Sequence, residues 1–289
     1  MLQASAKVWV IGAASFTGQH LIPALQQANY NVDTSAVDIT DLPQLEGTLL
    51  KIQPDYIINL AGISFVPDGA NASIYAVNTF GPQNILTACL KLPRAPKQIV
   101  LASSSNVYGI QAAEKLNEAC PVNPISHYGC SKWAMEQIAK TYSDKLNITV
   151  TRPFNYTGRG QDIKFLVPKI VDHFKRRADS IKLGNIDIWR DFSDVRWVAQ
   201  AYTELLSVPN NELSFVNLCS GRLTSIRDVI ALLEDITGHT LKIEIDPQFA
   251  RPADIKRQCG DNEYLFERVP GLRQVEPLSA MLKWMLEAA

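Results

Sequence analysis

The chain has 289 residues, of which 46% are hydrophobic and 20% are charged. This composition is typical of a globular protein with one large domain, or with a domain and a smaller lobe. The formal net charge of −1 and the lack of a basic block argue against a nucleic-acid-binding protein. The sequence has no run of about 18 apolar residues, so no membrane span is expected.

Five cysteines are scattered along the chain without a Cys-x-x-Cys pair, at positions 89, 120, 130, 219 and 259. An odd and scattered set argues against a disulfide framework or a zinc site, and it is typical of a reducing compartment. The N-terminal segment lacks the charged leader and apolar stretch of a signal peptide. We therefore expect a cytoplasmic protein with no metal site.

Short apolar segments alternate with helical periodicity in the first half of the chain. Strands are predicted at Lys7–Ile11, Asn31–Ser35, Ala36–Ile39, Tyr56–Leu60, Gln98–Ala102 and Ile148–Thr151. The intervening helices are predicted at about 17–29, 42–52, 73–92 and 128–146. Strands that alternate with helices of this length predict right-handed βαβ units and a parallel sheet covered on both faces.

The pattern becomes irregular after Pro153. Helices are predicted at about 165–177, 195–208, 225–237 and 278–287, with a small strand at Ile243–Ile245. We assign residues 1–153 to the sheet domain, to which later segments return. Residues 154–289 are assigned mainly to a smaller lobe over the carboxyl edge of the sheet.

The first strand and the first helix are joined by a turn of small residues, Gly12-Ala13-Ala14-Ser15-Phe16-Thr17-Gly18. Such a turn lets backbone N–H groups approach a pyrophosphate at the positive end of a helix. Gly12 would make the turn, and Gly18 would allow close packing of the helix on the strand. Ser15 stands where many such loops have a glycine. Two glycines at this spacing are a weak signal, and an ordinary strand–helix turn is the alternative.

The residues after the second strand bear on the choice between NAD and NADP. Asp33 is a candidate acid for the adenosine ribose, and Asp38 is a candidate neighbour of the adenine. No Lys or Arg occurs between Lys7 and Lys51, so this region offers no clamp for a 2′-phosphate. These residues leave the choice between the two cofactors open.

Tyr128 and Lys132 stand four residues apart, which places both on one face of a predicted helix. A free tyrosine has a pKa of about 10, too high for an efficient acid or base near neutrality, and a neighbouring ammonium lowers that pKa. Upstream, Ser103-Ser104-Ser105-Asn106 follow a buried strand, where a hydroxyl can bind a substrate carbonyl. A chance pair and a serine-rich turn are the ordinary alternatives. The glycine loop, the serines and the Tyr128/Lys132 pair nevertheless follow one another at three strand ends. This order predicts that they form one site.

These motifs resemble those of the extended short-chain dehydrogenases/reductases, the family of nucleotide-sugar epimerases, dehydratases and reductases. The resemblance rests on GAASFTG, NLAG, SSSNVYG, YGCSK and RPFNYTG, with NLCSG and RPADIKRQCGD further on. It implies an α/β fold, a Rossmann-type doubly wound parallel sheet with a smaller C-terminal substrate-binding lobe. The sheet domain would then be the dinucleotide-binding domain. A homodimer formed through the helices that hold Asn78 and Tyr128 is also implied.

The resemblance assigns roles to individual residues. The catalytic residues are Ser104, Tyr128 as the acid/base, and Lys132 as its partner. The cofactor-binding residues are Gly12, Ser15, Phe16, Thr17, Gly18, Asp38, Ile39, Leu60, Ala61, Gly62, Tyr128 and Lys132. The substrate-binding residues are Ser105, Asn106, Asn155, Arg190, Arg251 and Asp254. The two arginines suit a nucleotide diphosphate because a guanidinium donates two parallel hydrogen bonds, although surface salt bridges are the alternative.

The two residues after the triad serine bear on the reaction. In the family's 4,6-dehydratases these positions commonly supply carboxylates, whereas here they are Ser105 and Asn106, neither of which is a useful base. The motif SSSNVYG also lacks the cysteine of the GDP-fucose type of epimerase-reductase. The segments AGISFVPDG, RPFNYTGRGQ, NIDIWRDFSDV and NLCSG are most similar to reductases of GDP-4-keto-6-deoxymannose.

The resemblance thus implies NAD(P)H-dependent reduction of the 4-keto group of a GDP-linked 4-keto-6-deoxy sugar, in nucleotide-sugar biosynthesis. It favours NADPH over NADH. Two alternatives remain open. A sugar 4-epimerase would retain NAD and consume no reduced cofactor. A non-catalytic member of the family would use the fold to sense a cofactor or to bind a partner, which the intact Ser/Tyr/Lys set argues against.

Overall fold

The structure, a computed structural model, describes residues 5–64, 71–208, 213–249, 255–272 and 275–287. In these residues the strands are β1 (Lys7–Ile11), β2 (Asn31–Asp33), β3 (Tyr56–Asn59), β4 (Gln98–Ala102), β5 (Ile148–Pro153), β6 (Asn155–Thr157), β7 (Ser180–Leu183), β8 (Trp189–Asp194), β9 (Ser214–Leu218), β10 (Leu223–Ser225), β11 (Lys242–Ile245) and β12 (Arg257–Gln258). The helices are α1 (Phe16–Gln27), α2 (Leu42–Ile52), α3 (Asn71–Tyr75), α4 (Gly81–Cys89), α5 (His127–Lys140), α6 (Leu166–Lys175), α7 (Val195–Leu205), α8 (Ile226–Thr237), α9 (Glu263–Arg268) and α10 (Leu278–Leu286).

Six parallel strands form the central sheet, in the order β2-β1-β3-β4-β5-β9. Alternate side chains of β1 enter different cores, because successive residues of a strand point to opposite faces. Val8 and Val10 pack with α1 and α7, whereas Trp9 and Ile11 pack with α2, α4 and α5. The predicted parallel sheet with helices on both faces, the Rossmann-type α/β fold, is therefore confirmed.

One predicted strand is wrong. The segment Ala36–Ile39 forms no strand, so β2 is the edge of the sheet. The reason is local, because the carboxylate of Asp38 accepts hydrogen bonds from the backbone N–H of Thr40 at 2.9 Å and from its hydroxyl at 2.7 Å. These bonds turn the chain toward α2 before a further strand can pair.

The predicted long helix at 73–92 is interrupted. It begins as α3, passes through a π-helical turn at Ala76–Phe80, and continues as α4. Such turns often occur at functional sites. Here the turn carries Asn78, which is fully buried against α5.

The second half of the chain contributes to both parts of the molecule. Strand β9 completes the central sheet, and α7 covers the face occupied by α1. The remaining strands form small sheets, with β8 paired to β6, β10 and β12, and β7 paired to β11. Helices α6, α8 and α10 enclose a separate apolar cluster in this smaller lobe.

The connections of the sheet create a crevice between β1 and β3. Helix α1 leads from β1 to β2 on one side, and α2 leads from β2 back to β3 on the other. Ligands of open α/β sheets bind at such a reversal, beyond the carboxyl ends of the strands. Among the helices that the structure describes, none combines the length and apolar composition needed to span a bilayer.

Candidate active site

The turn after β1 lies in this crevice and has the geometry of a phosphate-binding loop. Gly12 has a φ of +83°, and a Cβ there would lie 2.8 Å from the backbone nitrogen of Ala61. At Gly18 a Cβ would collide with the carbonyl oxygen of Ala13. Ser15 is the N-cap of α1, and its Oγ accepts a hydrogen bond from the N–H of Gly18 at 3.1 Å. The serine that replaces the usual middle glycine therefore begins the helix.

Two residues of the loop that are predicted to bind the cofactor, Phe16 and Thr17, both contact Tyr156. The hydroxyl of Thr17 is bonded to the hydroxyl of Tyr156 at 2.7 Å, and the ring of Phe16 stacks on the same tyrosine. Both loop residues are thus tied to β6. Their predicted role in binding a cofactor stays a prediction.

The region predicted to hold the adenosine follows β2. Asp33 ends that strand, and its Oδ1 accepts from the N–H of Ser35 at 2.9 Å. Asp38 is exposed, and its hydrogen bonds with Thr40 lower the pKa of its carboxyl. Ile39 is buried, and its side chain fills the space that a Cβ on Gly81 would occupy.

On the other side of the crevice, the segment after β3 lies close to Lys132, the predicted partner of the catalytic tyrosine. A Cβ on Gly62 would lie 3.1 Å from Nζ of Lys132 and 3.2 Å from Oδ1 of Asn78. Leu60 and Ala61 form the wall that faces Gly12. A side chain at Gly12 would therefore crowd the segment after β3, and one at Gly62 would crowd Lys132. A nicotinamide dinucleotide fits this arrangement, because its pyrophosphate would meet the start of α1 and its ribose would meet Lys132.

The three serines after β4 have three different partners. Ser103 donates to Oε1 of Glu136 on α5 at 2.6 Å. Ser104 lies near enough to Tyr128 to oppose the rise in the pKa of that phenol, and its Oγ accepts from the side-chain amide of Asn106 at 3.0 Å. Ser105 donates to Oε1 of Gln258 on β12 at 3.3 Å. Of the three serines, only the middle one therefore lies next to Tyr128, the predicted catalytic tyrosine.

Tyr128 and Lys132 lie on α5 as predicted from their spacing, but their electrostatics differ from the prediction. Burial raises the pKa of Tyr128 to about 12, and the Ser104 hydrogen bond opposes that rise. Burial lowers the pKa of Lys132 to about 8, with Glu136 opposing. Nζ of Lys132 donates to the carbonyl oxygen of Ala102 at 2.8 Å. The pKa of Tyr128 is thus raised by burial, which favours the neutral phenol, whereas the sequence predicts that the lysine lowers it.

A buried ion pair lies behind these residues. Arg152 donates to both carboxylate oxygens of Glu136, at 3.0 and 2.7 Å, and both side chains are almost fully buried. The guanidinium also donates to the hydroxyl of Tyr108 at 3.1 Å. Glu136 in turn accepts from Ser103. This network fixes α5 against the carboxyl ends of β4 and β5.

Of the predicted substrate residues, Ser105 and Asn106 lie in a short helical turn after β4, whereas Asn155 and Arg190 lie on neighbouring strands. Asn155 is exposed on β6, which pairs with β8. Arg190 lies on β8, donates to the carbonyl oxygen of Trp189 at 2.9 Å, and is in register with Gln258 of β12. The predicted substrate residues Arg251 and Asp254 lie outside the described residues.

Three residues of this region were not predicted as site residues. Glu136 follows Lys132 by four residues. This spacing could have indicated the interaction from the sequence, because residues four apart on a helix are neighbours. Gln258 and Tyr156 gave no local signal, since their partners are distant along the chain. In the part of the chain that the structure describes, no group of three His, Cys, Asp or Glu residues is arranged to hold a metal.

Comparison with known proteins gives consistent relatives. Residues 1–269 match the family model for GDP-mannose 4,6 dehydratase. A GDP-6-deoxy-D-talose 4-dehydrogenase from Aggregatibacter actinomycetemcomitans is 35% identical over 278 residues, covering 91% of this chain and 94% of the relative. A GDP-6-deoxy-D-mannose reductase from Pseudomonas aeruginosa is 32% identical over 277 residues, covering 90% of each chain. The structure of RMD from Pseudomonas aeruginosa, complexed with NADPH, matches with a TM-score of 0.88 at 29% identity, covering 98% of this chain and 96% of that one.

Proposed function

Because the chain belongs to the GDP-mannose 4,6-dehydratase family of short-chain dehydrogenases/reductases, we propose that it reduces the 4-keto group of a GDP-linked 4-keto-6-deoxy sugar. The observation that carries this proposal is the turn after β4. Ser104 lies beside the protonated Tyr128 and opposes the rise in its pKa, while the next two positions are Ser105 and Asn106, which carry no charge. A dehydratase needs an acid and a base at neighbouring carbons, and this turn supplies neither.

Tyr128 is the proton donor in this proposal. With a pKa of about 12 the phenol keeps its proton at neutral pH, as reduction of a carbonyl requires. The hydroxyl of Ser104 holds the C4 oxygen beside the phenol, so the proton passes from Oη of Tyr128 to that oxygen. A nicotinamide cofactor, when bound, supplies the hydride to C4.

The residues around the crevice would hold that cofactor. The first turn of α1 would bind the pyrophosphate, and Lys132 would bind the nicotinamide ribose through its ammonium. The proposal favours NADPH over NADH, since the Pseudomonas RMD structure contains NADPH. No Lys or Arg lies between Lys7 and Lys51 to bind a 2′-phosphate. We therefore expect kcat/KM for NADPH to exceed that for NADH by less than about tenfold, since a paired phosphate would contribute more.

The nucleotide would lie along β6 and β8. In this proposal Asn155 contacts the sugar nucleotide, and Arg190 and Arg251 bind the diphosphate with Asp254 near the ribose. The two curated relatives carry GDP and a 6-deoxy sugar in their names. The talo and manno configurations of those sugars differ only at C4. The configuration of the product at C4 therefore decides which of the two this chain makes.

The direct test is to mix the protein with NADPH and a GDP-4-keto-6-deoxy sugar and to follow absorbance at 340 nm. We expect loss of absorbance and a product that NMR identifies as the 4-hydroxyl sugar. No loss of absorbance would remove the reductase proposal, and NAD that stays bound through purification would indicate a 4-epimerase. Tyr128→Phe is the matched variant, and it should lower kcat by about 10²–10⁴-fold with little change in affinity for NADPH.

A further inference from the structure

Tyr156 joins the strand next to the proposed sugar site to the phosphate loop. Its hydroxyl oxygen lies 2.7 Å from Oγ1 of Thr17. Its ring stacks on that of Phe16, with 6.0 Å between centroids and 10° between planes. Thr17 is buried, so water has little access to the hydrogen bond. One side chain thus contacts two adjacent residues in the first turn of α1.

A second contact joins the same two segments. A ring nitrogen of His20, Nε2, lies 2.9 Å from the carbonyl oxygen of Arg159. His20 lies one helical turn beyond Phe16, and Arg159 follows Tyr156 after a short bend. Because α1 is bound at two points to the segment 156–159, displacement of one must displace the other.

Tyr156 also lies beside the catalytic tyrosine and the proposed substrate strand. It follows Asn155 on β6, which pairs in parallel with β8. Its proximity to Tyr128 contributes to the raised pKa of that phenol. Tyr156 therefore stands where the phosphate loop, the catalytic tyrosine and the substrate strand meet.

We propose that Tyr156 is a positioning residue that couples binding of the nicotinamide dinucleotide to binding of the nucleotide sugar. The N–H groups of the first turn of α1 bind a pyrophosphate best when their direction is fixed before the ligand arrives. The bond from Tyr156 to Thr17 fixes that turn against β6. A ligand that orders β6 then reduces the conformational entropy that is lost when the loop binds a pyrophosphate. By linkage, binding of the dinucleotide must favour binding of the ligand at β6 to the same extent. The nucleotide-sugar half of this coupling rests on the proposed function.

The role of the hydroxyl can be separated from that of the ring. A phenylalanine at 156 keeps the stack on Phe16 and removes only the hydrogen bond, so Tyr156→Phe is the test variant. Tyr202 is a matched control, because its hydroxyl lies 2.9 Å from Oγ1 of Thr151 and both side chains are buried. Neither Tyr202 nor Thr151 belongs to the phosphate loop.

The first measurement is the Kd for NADPH, followed by its fluorescence, in a double-mutant cycle. One neutral hydrogen bond corresponds to about a fivefold change in Kd. We expect Tyr156→Phe and Thr17→Val each to weaken NADPH binding about fivefold, and the double variant to bind no more weakly than either. Tyr202→Phe should bind NADPH as the wild type does. An unchanged Kd for Tyr156→Phe, or losses that multiply in the double variant, would overturn the proposal.

The second measurement is calorimetry with GDP as the probe, in the presence and absence of NADPH. We expect NADPH to tighten GDP binding about fivefold in the wild type and to leave it nearly unchanged in Tyr156→Phe. Equal GDP affinities with and without NADPH in the wild type would overturn the coupling. If GDP does not bind at all, the nucleotide in the proposed function is wrong. The NADPH series then decides by itself whether Tyr156 holds the loop.

Discussion

Glu136 and Arg152 form an ion pair with two hydrogen bonds that is almost completely buried, one helical turn from Lys132, a predicted catalytic residue. The carboxylate also accepts a hydrogen bond from the hydroxyl of Ser103, the residue before Ser104, the predicted catalytic serine. It is the charge that opposes the fall in the pKa of Lys132. The pair thus connects the strand that carries the serines to the helix that carries Tyr128 and Lys132.

Removal of one partner of this pair should destabilise the protein strongly. Arg152→Leu leaves the Glu136 carboxylate buried without its cation, and we expect a loss of about 3–5 kcal/mol in the free energy of unfolding. Denaturant unfolding measures this loss. The control is Lys91→Ala, which breaks an exposed ion pair with Glu46 and should cost less than about 1 kcal/mol. Similar losses for both variants would contradict the structural role of the buried pair.

The pH dependence of reduction should reflect Lys132. Burial lowers the pKa of its ammonium to about 8, so the charged form that binds ribose is present below that pH and is lost above it. We expect kcat/KM to be constant near neutrality and to fall as the pH rises through about 8. The neutral form of Tyr128 persists to a higher pH, since burial raises the pKa of its phenol to about 12.

The Lys132→Arg variant tests whether titration of Lys132 causes the fall in kcat/KM above about pH 8. A guanidinium stays charged throughout this range, so the variant should lose the decline above about pH 8 while retaining a lower activity. Steady-state kinetics with NADPH from pH 6 to 9.5 gives both profiles. A decline that persists unchanged in Lys132→Arg would assign it to a different group.

A side chain at Gly12 should abolish tight cofactor binding. The residue has a φ of +83°, and a Cβ would come within 2.8 Å of the Ala61 backbone nitrogen. We expect Gly12→Ala to weaken NADPH binding by at least about tenfold and to destabilise the fold by about 1–3 kcal/mol. Fluorescence titration and denaturant unfolding measure the two effects.

Gly47 provides the matched control for this change. It lies inside α2, and a Cβ there would meet no atom within 4 Å. Gly47→Ala should therefore leave NADPH affinity unchanged and stabilise the protein by about 0.5–1 kcal/mol, because alanine favours the helix interior. Tight NADPH binding by Gly12→Ala would show that the pyrophosphate binds elsewhere.

The homodimer implied by the family resemblance can be tested on two exposed aromatic residues. Phe80 in the π-helical turn and Trp133 on α5 are 55% and 41% exposed, on helical segments that contact each other. We expect size-exclusion chromatography with light scattering to give the mass of a dimer, and Trp133→Glu to give a monomer. Ile163→Glu, at a loop position that is 62% exposed, should leave the dimer intact. A wild-type monomer at all concentrations would exclude this interface.

The order of strands and helices could be predicted from the sequence because it depends on local patterns. The apolar run at Lys7–Ile11 and the helical period at Leu42–Ile52 match β1 and α2. The spacing of Tyr128 and Lys132 was sufficient to place both on α5, since the helical period alone decides which residues share a face. The strand predicted at Ala36–Ile39 failed because side-chain bonds of Asp38 outweighed its apolar content.

The partners of individual side chains were decided only by the tertiary structure. Three consecutive serines look equivalent in the sequence, yet only Ser104 affects the pKa of Tyr128, while Ser105 bonds to Gln258, 153 residues away along the chain. Such pairings depend on strand register and lobe packing, which no local pattern encodes. The raised pKa of Tyr128 has the same origin, because burial is a property of the assembled fold. The sequence alone thus determined that Tyr128 and Lys132 share a helix. The packing around them determined that the tyrosine holds a proton.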